Sequence, residues 1–448
     1  MRLVGRESRT ERDQPGRLDA GPWPSTFLRT PDGDATLGGV SLCAIAGRFG
    51  TPSYVMDETD VRRRARAYKA ALPDATIAYA AKAFLCRAMA DWIRTEGLSL
   101  DVCSGGELAL ARSVGFPGER IIFHGNAKTP HELHEAVEYG VGRVVLDNLP
   151  EIARLAVLVP LGKRQKVLLR IVPDVLAGAH AAIRTGGEGQ KFGLSLVSGD
   201  AATAVHQVLG QPGLELAGLH CHIGSQITTV EPFQEAARVM VRQLAHIRDT
   251  HGVVLPELDL GGGHGIAYLP GDHPLDPRHY AAAVTSTIHD HCTALGLPAP
   301  RLTIEPGRAV SGPAGITLYR VIVVKRQGST TFVAVDGGMS DNPRPSLYGA
   351  PYTMSLIGRR TTPIKRRVTV VGRHCESGDV IAENVPMPAD IHPGDLIAVA
   401  ATGAYNHSMA STYNLTTRPP VIAISEGTAR LVVRREAPTD LLSREVGL

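Results

Sequence analysis

A single lysine, Lys82, lies inside an apolar run that covers residues 76–84. An ammonium is costly in apolar surroundings, so such a lysine tends to lose its proton, and the neutral amine attacks a carbonyl to give a Schiff base. The alternative is a lysine at a strand end whose ammonium reaches water past its aliphatic chain. The run by itself leaves both interpretations open.

Three consecutive glycines, Gly261, Gly262 and Gly263, precede His264 and Gly265 and form the best candidate for a phosphate site. Glycine lets backbone N–H groups approach an anion closely, because there is no side chain between them. A tight turn without any ligand is the alternative interpretation, since glycine runs are common in turns.

Residues Glu305, Pro306, Gly307 and Arg308 place an acid and a base in one rigid turn. A carboxylate that faces a pyridine nitrogen keeps that nitrogen protonated, which is what an electron-sink cofactor needs. The guanidinium of Arg308 is suited to bind a phosphate or a carboxylate through two parallel hydrogen bonds. A structural ion pair between Glu305 and Arg308 is the alternative.

The histidines at 220 and 222 alternate along a predicted strand and first suggest a metal site. We predict no metal, because the sequence offers no third ligand with suitable spacing. The flat imidazole of His222 is instead suited to stack on a flat cofactor ring. The hydroxyl of Ser225 is available to a phosphate.

The elements that must position these residues are eight short apolar runs separated by helical patterns. The predicted strands cover residues 76–84, 98–103, 120–124, 143–146, 166–172, 214–222, 256–260 and 301–304. The predicted helices cover residues 107–114, 131–139, 151–158, 231–250 and 279–295. Alternating strands and helices indicate parallel βαβ units, and eight of them predict a (β/α)8 TIM-type barrel.

Polar residues fall at or near the end of nearly every predicted strand, which is where a barrel of this type carries its catalytic groups. They are Lys82, Asp101, Ser104, His124, Asn126, Asp147, Arg170, His222, the glycines 261–263, Glu305 and Arg308. Packing alone does not explain so regular a placement.

After Arg308 the helical patterns nearly disappear, and alternating strand patterns replace them. They cover residues 316–324, 331–335, 367–371, 395–400, 421–424 and 429–433. We therefore predict an α/β barrel plus an all-β domain of sandwich or barrel-like form, joined by an early strand at 53–56. The predicted division is a disordered extension at 1–24, the barrel at 55–309, and a β-rich domain at 25–54 plus 310–448.

The composition of the 448 residues is that of a globular protein, with 43% hydrophobic and 20% charged residues. A net charge of +3 and the lack of a basic stripe with aromatic residues argue against a nucleic-acid or membrane partner. The six cysteines are scattered and resemble reduced thiols, so we expect a cytoplasmic protein.

Seven motifs between about Gly50 and the C-terminus share one order and spacing with a known family. They are YAAKAF (79–84), DVCSGGE (101–107), HIGSQ (222–226), EPGR (305–308), RPSLYGA (344–350), HCESGD (374–379) and GAY (403–405). The sequence resembles the pyridoxal-phosphate decarboxylases of the alanine-racemase fold (fold type III), and within them the diaminopimelate decarboxylase family.

The resemblance implies that Lys82 carries pyridoxal 5'-phosphate, that His222 stacks on its ring and that Glu305 meets the pyridine nitrogen. The implied cofactor-binding residues are Lys82, His222, Ser225, Gly262, Gly263, Glu305, Pro306, Gly307, Arg308 and Tyr405. The implied substrate-binding residues are Arg308, Arg344, Tyr348, Glu376 and Tyr405.

The resemblance also implies an obligate head-to-tail homodimer with shared active sites, in which Cys375 and Glu376 reach the site from the partner subunit. Lys82, His222 and Cys375 are the expected catalytic residues, and Cys375 is the expected acid that returns a proton to the α-carbon. An ordinary turn after a strand is the alternative for Cys375 and Glu376.

The expected reaction is the decarboxylation of meso-2,6-diaminopimelate to L-lysine and carbon dioxide, the last step of lysine biosynthesis. A site for a diamino diacid must recognise a second ammonium and a second carboxylate. Glu376 is suited to bind the ammonium, and Arg344 is suited to bind the carboxylate. In a site for ornithine or lysine, a buried Arg344 without an anion would be a liability.

Three competing functions remain open from the sequence. One is a paralogous decarboxylase that acts on another free or carrier-bound amino acid. Two departures from the family pattern keep this function open: Ala179, which precedes His180, and His264. Another is a non-catalytic pyridoxal-phosphate carrier or regulator, which would not need Arg344 or Cys375. A racemase of the same fold is the third.

Overall fold

The computed structural model describes residues 21–175 and 189–447. Of the extension predicted for residues 1–24, the structure describes only the last four residues. One of them, Trp23, stacks on Phe27 with ring centroids 4.2 Å apart. Within the described ranges, every helix is too short or too polar to cross a membrane. The domain boundaries at 54/55 and 309/310 stay a prediction.

The strands fall into three stretches of the chain. The first four are β1 (Leu28–Arg29), β2 (Ala35–Leu37), β3 (Val40–Ser41) and β4 (Ser53–Asp57). The next nine are β5 (Thr76–Ala80), β6 (Ser99–Val102), β7 (Ile121–Phe123), β8 (Arg143–Leu146), β9 (Gln165–Val172), β10 (Leu194–Ser195), β11 (Leu214–His220), β12 (Glu257–Asp259) and β13 (Arg301–Ile304). The last eight are β14 (Gly315–Gln327), β15 (Thr330–Val335), β16 (Met354–Ile357), β17 (Lys365–Val371), β18 (Val380–Pro388), β19 (Leu396–Val399), β20 (Val421–Ser425) and β21 (Thr428–Val433).

The helices of the described residues follow the same division. The first six are α1 (Leu42–Phe49), α2 (Glu58–Ala71), α3 (Arg87–Thr95), α4 (Gly105–Ser113), α5 (Pro130–Tyr139) and α6 (Leu149–Ala156). The others are α7 (Asp200–Leu209), α8 (Glu231–His251), α9 (Pro277–Ala294), α10 (Arg308–Ser311), α11 (Arg344–Tyr348) and α12 (Pro438–Leu442).

Eight parallel strands close into the predicted barrel, in the order β5-β6-β7-β8-β9-β11-β12-β13, and β13 pairs back with β5. Small and branched side chains from five of these strands fill its interior: Ala78, Ile122, Val145, Leu168 and Ala217. All eight strands predicted from the sequence are confirmed. The barrel brings their carboxyl ends together at one face, as the prediction of the site requires.

Three barrel helices, α2, α3 and α7, were missed by the sequence reading. In α2 the buried side includes the charged pair Asp60 and Arg64, whose Nε and Oδ2 atoms lie 2.9 Å apart. Val61, Ala65 and Tyr68 are buried beside them. Charged residues on the inner side of the helix therefore interrupted its apolar pattern.

The C-terminal strands form a second, mostly antiparallel sheet that includes the early strand β4, in the order β18-β17-β15-β14-β4-β20-β21. Strands β16 and β19 extend this sheet beside β14, and β16 and β18 were absent from the sequence prediction. The combination of a closed α/β barrel and a separate β-rich unit confirms the predicted fold class. Loops of this second unit reach the barrel mouth, since the backbone N–H of Thr353 donates to the carbonyl of Tyr268 at 3.1 Å.

Candidate active site

Lys82 lies in a single 3₁₀ turn, Ala81–Ala83, that directly follows β5. The second domain holds this turn in place, because the backbone N–H of Tyr405 donates to the Ala83 carbonyl at 2.8 Å. At the barrel mouth, Lys82 Nζ lies 3.0 Å from Asp101 Oδ2, and the lysine side chain is 42% exposed. The predicted strand-end position is confirmed, and the ammonium has a carboxylate partner.

The pKa of Lys82 is raised, which contradicts the expectation that apolar surroundings would remove its proton. Burial does lower this pKa, but the negative charges of Asp101 and Glu305 raise it by more. The amine must therefore give up a proton before it can attack a carbonyl. Asp101 is the carboxylate in contact with it.

Glu305 follows β13 and is buried, with 3% of its side chain exposed. Its Oε1 lies 2.5 Å from Nε2 of His124, and its Oε2 lies 3.5 Å from Nε2 of His220. Burial raises the pKa of Glu305, but the two histidines lower it by more, so the pKa lies well below its usual value. Glu305 is therefore an anion, which is the state that a protonated pyridine partner requires.

A second buried carboxyl group, Asp259, completes this cluster. Burial and the charge of Glu305 hold the pKa of Asp259 well above its usual value, which favours the protonated form of Asp259 beside Glu305. Burial also lowers the pKa of His220 to about 3, so this histidine is neutral. The pKa shifts therefore favour a negative charge on Glu305 rather than on Asp259.

The same four groups resemble a metal site, because the ligand atoms of His124, His220, Asp259 and Glu305 all lie within 4.8 Å of one another. Strands distant in sequence supply the additional ligands that the sequence pattern lacked. The contact of 2.5 Å between His124 and Glu305 is, however, too short for two ligands of one zinc ion, which lie roughly 3.3 Å apart. The absence of a metal stays a prediction.

The glycine loop after β12 packs directly against neighbouring backbone. A Cβ on Gly262 would lie 2.3 Å from the Glu305 carbonyl oxygen, and a Cβ on Gly263, with φ +96°, would lie 2.2 Å from that of Gly224. The Gly262 N–H donates to His222 Nδ1 at 3.2 Å and so orients this ring. Burial and the charge of Lys82 keep the pKa of His222 well below its usual value, so the imidazole is neutral and suited to stacking.

Arg308 turns away from Glu305, so the structural ion pair considered for them is not formed. Its Nη2 donates to Ser225 Oγ at 2.8 Å, its Nη1 donates to the Tyr268 hydroxyl, and its guanidinium lies 4.6 Å from the Tyr405 ring centroid. The Nε atom of Arg308 is buried and has no hydrogen-bond partner among the residues that the structure describes.

Gly307, the residue before Arg308, allows the turn after β13 to approach the lysine turn. A Cβ on Gly307 would lie 2.9 Å from the Cβ of Ala80 and 3.0 Å from the Cβ of Ala83. Pro306 is buried in the same turn. The turn that contains these two residues therefore packs closely against the lysine turn, and the contact of Pro306 and Gly307 with a cofactor stays a prediction.

Arg344 is a second buried guanidinium at the mouth, 7% exposed, at the start of α11. Its Nη1 donates to the Tyr352 hydroxyl at 2.7 Å, and its Cζ lies 4.8 Å from the ring centroid of Tyr268. Arg308 contacts the same Tyr268, so one tyrosine lies between two cations. Tyr268 and Tyr352 carry no motif signal of their own, and the sequence reading missed both.

Neither guanidinium has a carboxylate partner among the residues 21–175 and 189–447. A buried cation without a counter-ion is costly, so the pair marks two places that an anionic group would stabilise. The site therefore combines an amine, an ionised acid at its floor, a neutral imidazole and two anion sites. These residues fit pyridoxal phosphate, which needs a lysine, a ring partner and a phosphate site.

Cys375 and Glu376 lie in the exposed loop between β17 and β18, and this loop is well anchored. The buried carboxylate of Asp379 accepts from the N–H groups of Met339 and His374 at 2.6 and 2.8 Å. The Cys375 N–H donates to Asn414 Oδ1 at 3.3 Å. The thiol and the Glu376 side chain are nevertheless exposed, and in the described chain neither contacts Lys82 or Arg344.

The remaining predicted residues lie in different surroundings. Tyr348 ends α11 and is half-buried. His264 is buried in an aromatic cluster, where its Nδ1 lies 3.0 Å from the Tyr68 hydroxyl and its ring lies 4.4 Å from that of Tyr280. These contacts give no support to the paralogous function that His264 kept open. Ala179 and His180 lie outside the described residues.

Comparisons with known proteins agree with this site. Residues 58–312 match the family model described as "Pyridoxal-dependent decarboxylase, pyridoxal binding domain". A diaminopimelate decarboxylase from Actinosynnema pretiosum subsp. auranticum is 53% identical over 96% of both chains, and that of Mycobacterium tuberculosis is 48% identical over 95% of this chain and 97% of its own.

A solved structure extends the likeness to the whole fold. The diaminopimelate decarboxylase from M. jannaschii in complex with L-lysine is 31% identical, with a TM-score of 0.89 over 95% of this chain and 98% of its own. The fold and the site together define a pyridoxal-phosphate-dependent carboxy-lyase. The chain belongs to the diaminopimelate decarboxylase family of the pyridoxal-dependent decarboxylases.

Proposed function

We propose that this chain catalyses the pyridoxal-phosphate-dependent decarboxylation of meso-2,6-diaminopimelate to L-lysine and carbon dioxide, the last step of lysine biosynthesis. The relatives named for this reaction support it at 41–53% identity. The observation that carries the proposal is Arg344, a buried guanidinium without a carboxylate partner among the described residues, beside a second one, Arg308. A substrate with a distal carboxylate suits such a group.

The residues that would hold the cofactor are Lys82, His222, Ser225, Gly262, Gly263, Glu305, Arg308 and Tyr405, with Pro306 and Gly307 shaping the turn. Bound pyridoxal phosphate supplies an electron sink for the charge that remains when the carboxylate leaves. Asp101 accepts the proton that Lys82 must lose, since its Oδ2 lies 3.0 Å from Nζ. The anion of Glu305 stabilises positive charge at the floor of the site.

Substrate recognition is assigned to Arg344 and Glu376 at the distal end, with Tyr348, Tyr405 and Arg308 completing the pocket. A guanidinium and a carboxylate select a group that carries both a carboxylate and an ammonium. Lysine and ornithine lack the distal carboxylate, so they would leave Arg344 without an anion.

We assign Cys375 and Glu376 to the site of a neighbouring copy in a homodimer. Their loop is anchored on one side and exposed on the other, and Leu347, on the adjacent helix α11, is 55% exposed. An ordered loop with an exposed thiol beside an exposed apolar residue suits a contact with a second chain. Cys375 of the partner subunit would deliver the proton to the α-carbon.

The reaction is tested with purified protein and pyridoxal phosphate, offered meso-diaminopimelate, its LL isomer, ornithine and lysine. Carbon dioxide release from the meso isomer is expected to exceed that from the other three. Turnover of another substrate without turnover of the meso isomer would contradict the proposal. We place the enzyme in the cytoplasm, a prediction that the six free cysteines support.

The shared site is tested by mixing two inactive variants, Lys82→Ala and Cys375→Ala, under conditions that allow subunit exchange. A mixed dimer restores one intact site, so partial activity is expected to return. No recovery, in mixtures whose subunit exchange is verified by mass, would refute the contribution of Cys375 from a second chain.

A further inference from the structure

His124 lies between two buried carboxylates of the candidate site, Glu305 and Asp101. Its Nε2 lies 2.5 Å from Glu305 Oε1 and 3.7 Å from Asp101 Oδ1. Asp101 in turn contacts Lys82 at 3.0 Å. One imidazole therefore lies between Glu305 and the carboxylate that contacts the lysine.

This arrangement is protected from water and supported by a second ring. Asp101 is 1% exposed, His124 is 5% exposed and Glu305 is 3% exposed. The His220 ring packs edge-on against His124 with centroids 4.9 Å apart, and its Nε2 lies 3.5 Å from the other oxygen of Glu305. Two buried carboxylates this close repel each other, and the polar imidazole of His124 lies between them.

We propose that His124 is a positioning residue for cofactor binding, which holds the carboxylate of Glu305 in place so that it can face the ring nitrogen. The proposal deepens the proposed function, because it concerns the cofactor on which that function rests. It assigns no contact between His124 and the substrate. Burial raises the pKa of Glu305, and His124 and His220 lower it by more.

The test compares two variants of similar side-chain length that differ in a single property. His124→Gln keeps an N–H donor near the position of Nε2, whereas His124→Met has none. The dissociation constant for pyridoxal phosphate is measured by absorbance titration, together with the pH dependence of the absorbance of the bound cofactor. Neither measurement needs a substrate, so a failed decarboxylation assay would leave this proposal testable.

We expect His124→Met to weaken cofactor affinity by about 10- to 100-fold, the range for losing one polar contact with a charged group. The pH profile of the bound cofactor is expected to shift, because Glu305 would be ionised less readily. His124→Gln is expected to recover most of the affinity and most of the profile. Equal losses in the two variants would overturn the proposal.

A double-mutant cycle with Glu305→Gln separates positioning from a general loss of packing. If His124 acts through Glu305, His124→Met has no further effect on affinity in the Glu305→Gln background. The same fold-change in both backgrounds would show an independent role and refute the proposal. One zinc ion bound per cofactor-loaded wild-type chain, and lost in His124→Met, would indicate a metal centre and would refute it as well.

Discussion

Replacing Arg344 by methionine tests how the site distinguishes a diacid from a monoacid. Methionine keeps much of the aliphatic length of arginine and removes the charge and the donors. In the structure Arg344 is buried, donates to the Tyr352 hydroxyl at 2.7 Å and faces Tyr268 at 4.8 Å. The variant therefore loses the group that we assign to the distal carboxylate, while the neighbouring rings can still pack against the side chain.

The expected loss is specific to one substrate. A hydrogen bond to a charged group contributes about 1.5–3 kcal/mol, so kcat/KM for meso-diaminopimelate should fall by roughly 10- to 100-fold for each bond lost. Two parallel bonds to a carboxylate would place the loss near the upper limit or beyond it. Any slow turnover of L-lysine, which has no distal carboxylate, should not fall by the same factor.

The assay is carbon dioxide release from the two substrates, measured for the wild type and for Arg344→Met. Tyr352→Phe removes only the neutral partner of the guanidinium and should cost much less. Arg435→Met is a matched control, because Arg435 donates to the carbonyls of Phe49 and Pro52 outside the site. An equal loss on both substrates, with an unchanged melting temperature, would refute the assignment of Arg344.

Three further predictions concern the lysine, the glycine loop and the second domain. Asp101→Asn should lower the Lys82 pKa, because it removes the carboxylate in contact with the ammonium. The rate of cofactor attachment should then shift to lower pH, and an unchanged pH profile would contradict the role of Asp101. Gly263→Ala should weaken cofactor affinity at least tenfold, because the new Cβ would lie 2.2 Å from a carbonyl oxygen. The control is Gly271→Ala, which should not weaken it, because Gly271 has a similar φ of +93° and open space around it. Burial raises the pKa of Asp341 from 3.8 to about 7. Between these two pH values the folded state keeps a proton that the unfolded state has lost. The free energy of unfolding should therefore fall by about 4 kcal/mol as the pH rises from 3.8 to 7. Asp341→Asn should flatten that slope in urea unfolding, and an unchanged slope would contradict the assignment.

Much of the site follows from local sequence patterns. Each barrel strand is a short apolar run followed by polar residues, and the closure of the barrel brings those residues to one face. Lys82 after β5 and Glu305 after β13 could therefore be placed from the pattern, since β13 pairs with β5. The β-rich unit and the early strand at 53–56 follow from alternating patterns in the same way.

Other features depend on contacts between segments distant in sequence. His124 and Glu305 are 2.5 Å apart although 181 positions separate them, and Tyr268 meets both Arg308 and Arg344 through a different loop. No local periodicity encodes such encounters, because they arise where strands and domain loops converge.

The charge of the central lysine shows the division most clearly. The sequence by itself determined that Lys82 lies at a strand end in an apolar run, with the residue types needed for a pyridoxal-phosphate site nearby in the fold. Only the tertiary structure decided its protonation, because Asp101 and Glu305 approach it from other strands and outweigh the effect of burial. Local composition sets the cost of a buried charge, and the three-dimensional neighbours decide whether that cost is offset.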